Sequence, residues 1–524
     1  MYKPVPFYMS SRGYGVFIHT SAPVTLDFGQ AYHEASTVFS ADPILDLFLF
    51  TGDYREILEA YTGITGHAEV PPLWSFGLWM GRISYREEAE LRSVVQKMKK
   101  YEIPCDVIHL DTGWFEHDWQ CDYKFSPARF HDPAKMVQQL KESGYRISLW
   151  QLPYFTPKNK YYEQLLKSGY AVQNEDGFLP TDDIILDYSN PDAVSWYQEK
   201  LADLLDMGVA AIKADFGEAA PLSGKYHSGK SGLYEHNLYP LRYNKAVFEI
   251  TKKQTGDGII WARSAWAGSQ RYPLHWGGDA ENTDMGMLST LRAGLSFGMS
   301  GFTFWSHDIG GFVKKSPESL YRRWLFMGIF TSHMRCHGQP PKEPWTYSDD
   351  FLKYFRKLMK FRYSLIPYIY GQAQLLARKG LPMIQPMCMS WPKDPVCNAI
   401  EDQYMFGEDI LVAPFFEDHI TSRMVYLPDG DWLDLFDREN KYRGGKYRNI
   451  PGGDWGGIAL VRDGTVIPFV DAALTTNEID WSTLSYYWYT SDRETANLHG
   501  VSIDPATKDA GRITYSNKNE FRLK

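Results

Sequence analysis

Lys213 and Asp215 stand two residues apart at the end of the apolar run Val-Ala-Ala-Ile-Lys-Ala-Asp. On a strand such an i, i+2 pair projects to one face, and an ammonium beside a carboxylate keeps it ionised, which is the state a nucleophile needs. Asp279, set between Gly-Gly and Ala, is the second carboxyl of interest, because its small neighbours allow close approach to a substrate. A carboxyl near an ionised partner has its own pKa raised, so Asp279 would begin protonated and able to donate. One attacking carboxylate and one proton-donating carboxyl are what glycoside hydrolysis requires. Further polar residues end or follow apolar segments: Asp111, Glu218, Arg263, His307, Asp308 and His337. Spacing alone leaves each of these acids equally open to service as a helix N-cap or a salt-bridge partner.

The elements that would position these groups are short apolar strands alternating with amphipathic helices. Strands are expected at 74–79, 107–110, 147–150, 209–215, 259–263, 274–276, 301–305 and near 332–337. Two of the helices are sharply punctuated. Asp132 and Pro133 open one that Gly144 ends, and Asn190 and Pro191 open another that Gly208 ends. Eight such strands predict an α/β fold, a (β/α)₈ TIM barrel, whose strand ends and following loops build the active site. An open doubly wound sheet would carry a glycine-rich phosphate loop after an early strand, and none is found. Residues 1–66 read as short strands, an N-terminal β region that forms part of a sandwich. Residues 67–380 make the barrel, 381–470 a proximal β-sandwich, and 471–524 a short distal β region.

Composition narrows the function classes. A chain of 524 residues exceeds the roughly 250–300 that one hydrophobic core sustains, so several domains are expected. The net charge of −9 comes without a basic run, which argues against a nucleic-acid partner, and no apolar stretch is long enough for a membrane span. Aromatics at 15%, including 17 Trp and 35 Tyr, supply the flat faces on which sugars stack, although most belong to the core. Five cysteines without metal-ligand spacing, and no charged-then-apolar leader, lead us to expect a cytoplasmic protein without metal or other cofactor. His-x-His and His-Glu-x-x-His clusters, expected of a zinc-dependent barrel hydrolase, are missing.

The stretch Ile212-Lys-Ala-Asp-Phe-Gly-Glu-Ala-Ala-Pro221 resembles the nucleophile motif of glycoside hydrolase family 31, in its α-xylosidase-like branch. Further matches follow in the family's order: Trp74-Ser-Phe-Gly-Leu-Trp79, Ala262-Arg-Ser-Ala265, His275-Trp-Gly-Gly-Asp279, Gly301-Phe-Thr-Phe-Trp-Ser-His-Asp-Ile-Gly-Gly311 and Arg335-Cys-His-Gly338. The resemblance implies Asp215 as nucleophile, Asp279 as acid/base, and retention through a covalent glycosyl-aspartate. It further implies that Asp111, Lys213, Arg263 and His337 bind sugar hydroxyls and that Trp150 and Trp276 line the pocket walls. Asp308 and Glu218 are expected to support the site from behind. Asp187 matches a position near the pocket, yet Leu-Asp-Tyr-Ser-Asn-Pro reads equally as a turn before a capped helix. The implied substrate is an oligosaccharide or glycoside bearing an α-linked xylose, glucose or other hexose at its non-reducing end. Relatives include oligomers, which leaves a homo-oligomer open.

Two departures stand out. Where the α-xylosidases carry Cys-Phe after the residue matching Asp111, and α-glucosidases Ile-Asp, this chain has Thr112-Gly113. The family's N-terminal sandwich is also longer than the segment before residue 67, so a truncated member that binds sugar without turnover is the alternative of another class.

Overall fold

The computed structural model describes residues 2–490; the greater part of the expected distal region, 491–524, lies outside the described residues. Its centre is one parallel eight-stranded sheet. In chain order the strands are β1 (Leu78–Arg82), β2 (Val107–Leu110), β3 (Arg146–Gln151), β4 (Ala211–Ala214), β5 (Trp261–Ala262), β6 (His275–Trp276), β7 (Trp305–Ser306) and β8 (Met334–Cys336). Each pairs with its successor through β7, and β8 returns to β1. Closure between β7 and β8 falls to side chains and a single bridge. The Ser332 hydroxyl accepts from the Trp305 N–H at 2.9 Å and donates to the Trp305 carbonyl at 2.8 Å. Beyond it Asp308 bridges Arg335 in parallel, with the Ile309 N–H donating to the Arg335 carbonyl at 3.0 Å.

The two punctuated helices form as expected. Helix Pro133–Glu142 follows Asp132, whose carboxylate accepts from the Lys135 N–H, and helix Pro191–Asp206 follows Asn190, which accepts from the Asp192 N–H. Three expectations need correction. The seventh strand, expected at 301–305, is only Trp305–Ser306, because the chain turns at Gly301 with φ of 94° and joins the sheet beside β6 only from Trp305. Residues 73–76 are a 3₁₀ turn, and the strand begins only at Leu78. The Ser75 hydroxyl bonds back to the Pro72 carbonyl, and at Gly77 an added Cβ would lie 2.1 Å from Asp106 Oδ2, so the chain must turn closely past the bottom of β2. The N-terminal region is not strands alone. After the sheet of Phe7–Ser10, Tyr14–Ile18 and Leu47–Thr51, a helix runs over Tyr54–Thr65. A reciprocal cap starts it: Asp53 accepts from the Glu56 N–H, Glu56 accepts from the Asp53 N–H, and Ile57, Leu58 and Tyr61 are buried beneath.

C-terminal to the barrel, a six-stranded sheet and a two-stranded one, Ser422–Leu427 with Lys446–Pro451, enclose a second apolar core around Leu411, Val425, Trp432 and Leu460. Strand Thr465–Phe469 pairs with Ser485–Tyr489, so antiparallel pairing crosses the border expected at 470. Among the described residues no helix is long and apolar enough to cross a membrane.

Asp106, just before β2, ties this later segment to the barrel. Its carboxylate accepts from the Thr476 N–H at 3.0 Å and the Thr476 hydroxyl at 2.6 Å, and from the Tyr363 hydroxyl. Burial outweighs these donors and pushes the Asp106 carboxyl up to about 6. A carboxyl whose folded pKa lies above its unfolded value, near 3.9, stabilises fully below that value and loses the contribution as pH rises through its folded pKa. Wild type should therefore lose stability relative to Asp106→Asn between pH 4 and 7, by about 2 kcal/mol. Urea midpoints of both proteins across that range measure it; parallel profiles would contradict the assignment.

Candidate active site

Asp111, Asp215, Arg263 and His337 each directly follow a barrel strand, and Lys213 lies on β4. Register brings Lys213 beside Trp150 on β3 and Trp261 on β5. Two residues on, the Asp215 carboxylate meets donors from four directions. Trp150 Nε1 donates to Oδ2 at 2.8 Å, and Lys213 Nζ lies 3.2 Å from the same oxygen. The Phe216 N–H donates to Oδ1 at 2.8 Å, and an Arg263 guanidinium nitrogen sits 3.2 Å from it. The chain turns abruptly there, with φ of 58° at Phe216 and 99° at Gly217, where a Cβ would meet Ser264 Oγ at 2.5 Å. Backbone strain of this kind gathers where a functional group must be aimed.

Asp111 closes the floor. Lys213 Nζ donates to its Oδ2 at 3.0 Å, His109 Nε2 lies 2.9 Å from that oxygen, and His337 Nε2 lies 3.4 Å away. Burial alone would push the Asp111 carboxyl up, but Lys213 and the two imidazoles hold it well below the usual carboxylate range. Burial likewise drives His109 down to about 4, so at neutral pH its ring is uncharged. The neutral tautomer that suits both neighbours carries its proton on Nε2 toward Asp111 and accepts the Ser148 hydroxyl, 3.1 Å away, at Nδ1. Lys213, although buried, is kept above the ordinary lysine value by Asp111 and Asp215.

Asp279 is treated differently. It is exposed at the mouth, and among the described residues its carboxylate has neither a hydrogen bond nor an ion pair. The surrounding protein still strips it of enough water to raise its pKa; Lys213 opposes that shift and the charge of Asp215 adds to it. The pair thus comprises one immobilised carboxylate and one unheld carboxyl biased toward its protonated form.

Several buried polar groups near these two have no hydrogen-bond partner in the protein: both ring nitrogens of His337, Trp276 Nε1, Arg263 Nε, Glu218 Oε2 and Asp308 Oδ2. Unsatisfied groups in such number are costly in a folded interior and fit a site that a hydroxyl-rich ligand completes. Glu218 grips Arg263 through its other oxygen. Asp308 receives Arg335 Nε at 2.9 Å, and burial carries its carboxyl up to about 6 against that cation. Lys213 and Arg335 both lie over the Trp276 ring, at 5.0 and 4.9 Å. Asp187 is not part of this cluster. It accepts from the Ser189 N–H and hydroxyl and from the His227 N–H, bracing two loops against each other.

The geometry adds residues that sequence reasoning passed over. His109 and Arg335 carry a local signal, since each lies two positions before a candidate on its own strand. Tyr2 carries none. Its carbonyl accepts from the Ala265 N–H at 3.2 Å, its ring lies 4.8 Å from the Arg263 guanidinium, and a Cβ on Gly278 would touch that ring at 2.4 Å. Tyr2 therefore packs against Arg263 and against Gly278, the residue before Asp279.

The model of the glycosyl hydrolases family 31 TIM-barrel domain matches residues 68–372, and that of the glycosyl hydrolase family 31 C-terminal domain matches 380–467. The chain belongs to glycoside hydrolase family 31. Among curated family members it is similar to an alpha-xylosidase of Emericella nidulans, at 36% identity over 89% of this chain and 62% of that one. It resembles the alpha-xylosidase XylQ of Lactiplantibacillus pentosus at 36% identity over 83% of this chain and 59% of the relative. The chain thus spans about three fifths of the length of these relatives. In structure it resembles a family 31 dextranase of Flavobacterium johnsoniae complexed with glucose, with a TM-score of 0.85 at 28% identity over 91% of this chain and 62% of that one. A family 31 alpha-xylosidase from a soil metagenome, complexed with xylose, gives 0.80 at 28% identity over 87% and 73%.

Proposed function

We propose that the protein is a retaining, exo-acting α-glycosidase that removes α-linked xylose from the non-reducing end of an oligosaccharide or glycoside. The observation that carries the reading is the contrast between its two carboxyls: donors hold Asp215 on both oxygens, while Asp279 is unheld and raised in pKa. In the first step the Asp215 carboxylate attacks the anomeric carbon as Asp279 donates its proton to the departing oxygen, leaving a glycosyl-aspartate. Water then attacks the same carbon, giving its proton to Asp279 and releasing Asp215; two inversions amount to retention. Asp111, Lys213, Arg263 and His337 bind sugar hydroxyls, and Trp150 and Trp276 wall the ring. The floor made by His109, Asp111 and His337 is buried, which favours a blind pocket that accepts a chain end.

Xylose is favoured by the two alpha-xylosidase relatives. A glucose reading draws on Gly113. A Cβ there would lie 2.9 Å from Ser84 Cβ, so the position has no room for a bulky side chain that could exclude a hydroxymethyl group. Transglycosylation and α-galactoside hydrolysis would use the same two carboxyls. A cytoplasmic location draws support from five free thiols at Cys105, Cys121, Cys336, Cys388 and Cys397.

Initial rates on p-nitrophenyl α-xyloside, α-glucoside and α-galactoside test the reading. We expect a preference for the xyloside of roughly tenfold or more, the scale on which a pocket sorts one extra carbon. A reversed preference would transfer the assignment to the hexose with the mechanism intact. A folded protein silent on all of them would overturn the hydrolase in favour of a sugar-binding protein.

A further inference from the structure

Trp119 is an anomaly in the loop after β2: a large aromatic, 46% exposed, at the rim of the catalytic site. Its backbone is left-handed, with φ of 68°, and so are Cys121 at 47° and Tyr123 at 54°, in a stretch without glycine. Non-glycine residues in this region carry strain that the surroundings must hold. They do so here. The Gln120 N–H donates to the His117 carbonyl at 3.0 Å, Gln120 Oε1 accepts from the Thr156 hydroxyl at 3.0 Å, and its carbonyl accepts from the Asn159 amide. Cys121 and Tyr123 are buried, so the loop is pinned on its inner side while Trp119 is turned outward.

The indole is nonetheless in a defined place. It stands edge-on to Trp150, with centroids 5.0 Å apart and planes at 74°, and to Phe216, at 6.3 Å and 72°. Those are the two residues whose N–H groups hold the Asp215 carboxylate. Trp150 is 1% exposed and Trp119 lies outside it, so the aromatic wall continues from the buried pocket to solvent. A substrate seated on the Asp111 floor and reaching toward solvent past Trp150 would bring its leaving group to Trp119.

We propose that Trp119 is the platform on which the first ring of the leaving group, a pyranose presenting its apolar face, stacks during the attack by Asp215. This rests on the glycosidase reading above and goes beyond it by assigning the part of the substrate outside the pocket. Nothing in the fold requires an exposed indole there, whereas a sugar ring would recover the apolar contact that water denies it.

The test compares an α-xylosyl disaccharide, which has a leaving-group ring, with α-xylosyl fluoride, which has none. The readout is the ratio of kcat/KM on the two substrates, measured for wild type, Trp119→Ala and Trp119→Phe. The ratio should fall roughly tenfold in Trp119→Ala, mainly through KM on the disaccharide, and recover most of its value in Trp119→Phe, as expected of lost and restored aromatic contact. An unchanged ratio, including an equal loss on both substrates, would overturn the platform and leave the hydrolase standing. Wild-type protein inert toward both xylosyl and glucosyl fluoride would overturn the hydrolase reading, and the leaving-group role with it.

Discussion

Asp215→Ala should lower kcat by about 10⁴-fold or more, as removal of a covalent nucleophile does when its partners remain in place. The protein should stay folded, because neither buried cation is orphaned. Lys213 keeps Asp111 at 3.0 Å, and Arg263 keeps Glu218. A small change in the unfolding midpoint beside a collapsed turnover would separate chemistry from stability. Product stereochemistry sharpens the result. In the space vacated by the carboxylate, azide can displace the leaving group directly from the face Asp215 used, giving a glycosyl azide inverted relative to the substrate. Undiminished turnover of the variant on an activated aryl glycoside would remove Asp215 from the nucleophile role.

How much of this site was legible follows from how local each feature is. Lys213 lies on β4 and Asp215 directly follows it, so alternation alone places them on one face, and the structure has Lys213 Nζ within 3.2 Å of Asp215 and bridging it to Asp111. Most of the barrel strands were legible for the same reason, β1 and β7 being displaced from their expected spans, as were the helices whose caps lie beside them in sequence. Tyr2 and Trp119 were not. Tyr2 reaches the site by packing on Gly278, 276 positions along the chain, and the direction of Trp119 depends on backbone strain in a loop held by Thr156 and Asn159. Asp187 shows the converse. Its sequence context allowed both a pocket role and a turn, and only the His227 N–H, supplied by another loop, shows which structure it braces. The 3₁₀ turn at 73–76 reads as a strand because its residues, Ser75 apart, are apolar and run on into those of β1; what bends it is the close passage of Gly77 past Asp106, which periodicity cannot register.

Asp279→Ala should lower kcat/KM by about 10²- to 10⁴-fold, the usual worth of a positioned general acid. The loss should grow with the basicity of the leaving group, since a poor leaving group needs the proton most. Direction in pH follows from the environment of the wild-type carboxyl. Partial loss of water to the surrounding protein, opposed by Lys213 and reinforced by Asp215, raises its pKa, and the glycosylation step requires the protonated form. Activity of wild type therefore falls as pH rises through that raised pKa, and the variant, with no proton to lose, should show no such alkaline limb. Once an activated substrate has formed the glycosyl-aspartate, the variant lacks a base to draw the proton from water, and the intermediate persists. Azide needs no such base; it attacks the carbon from the side opposite Asp215 and yields a glycosyl azide of the substrate's own configuration. Two variants of one pocket would thus release azides of opposite configuration. That contrast depends only on which carboxyl forms the bond to carbon and which carries the proton; the same configuration from both would mean that the two roles have been wrongly divided between Asp215 and Asp279.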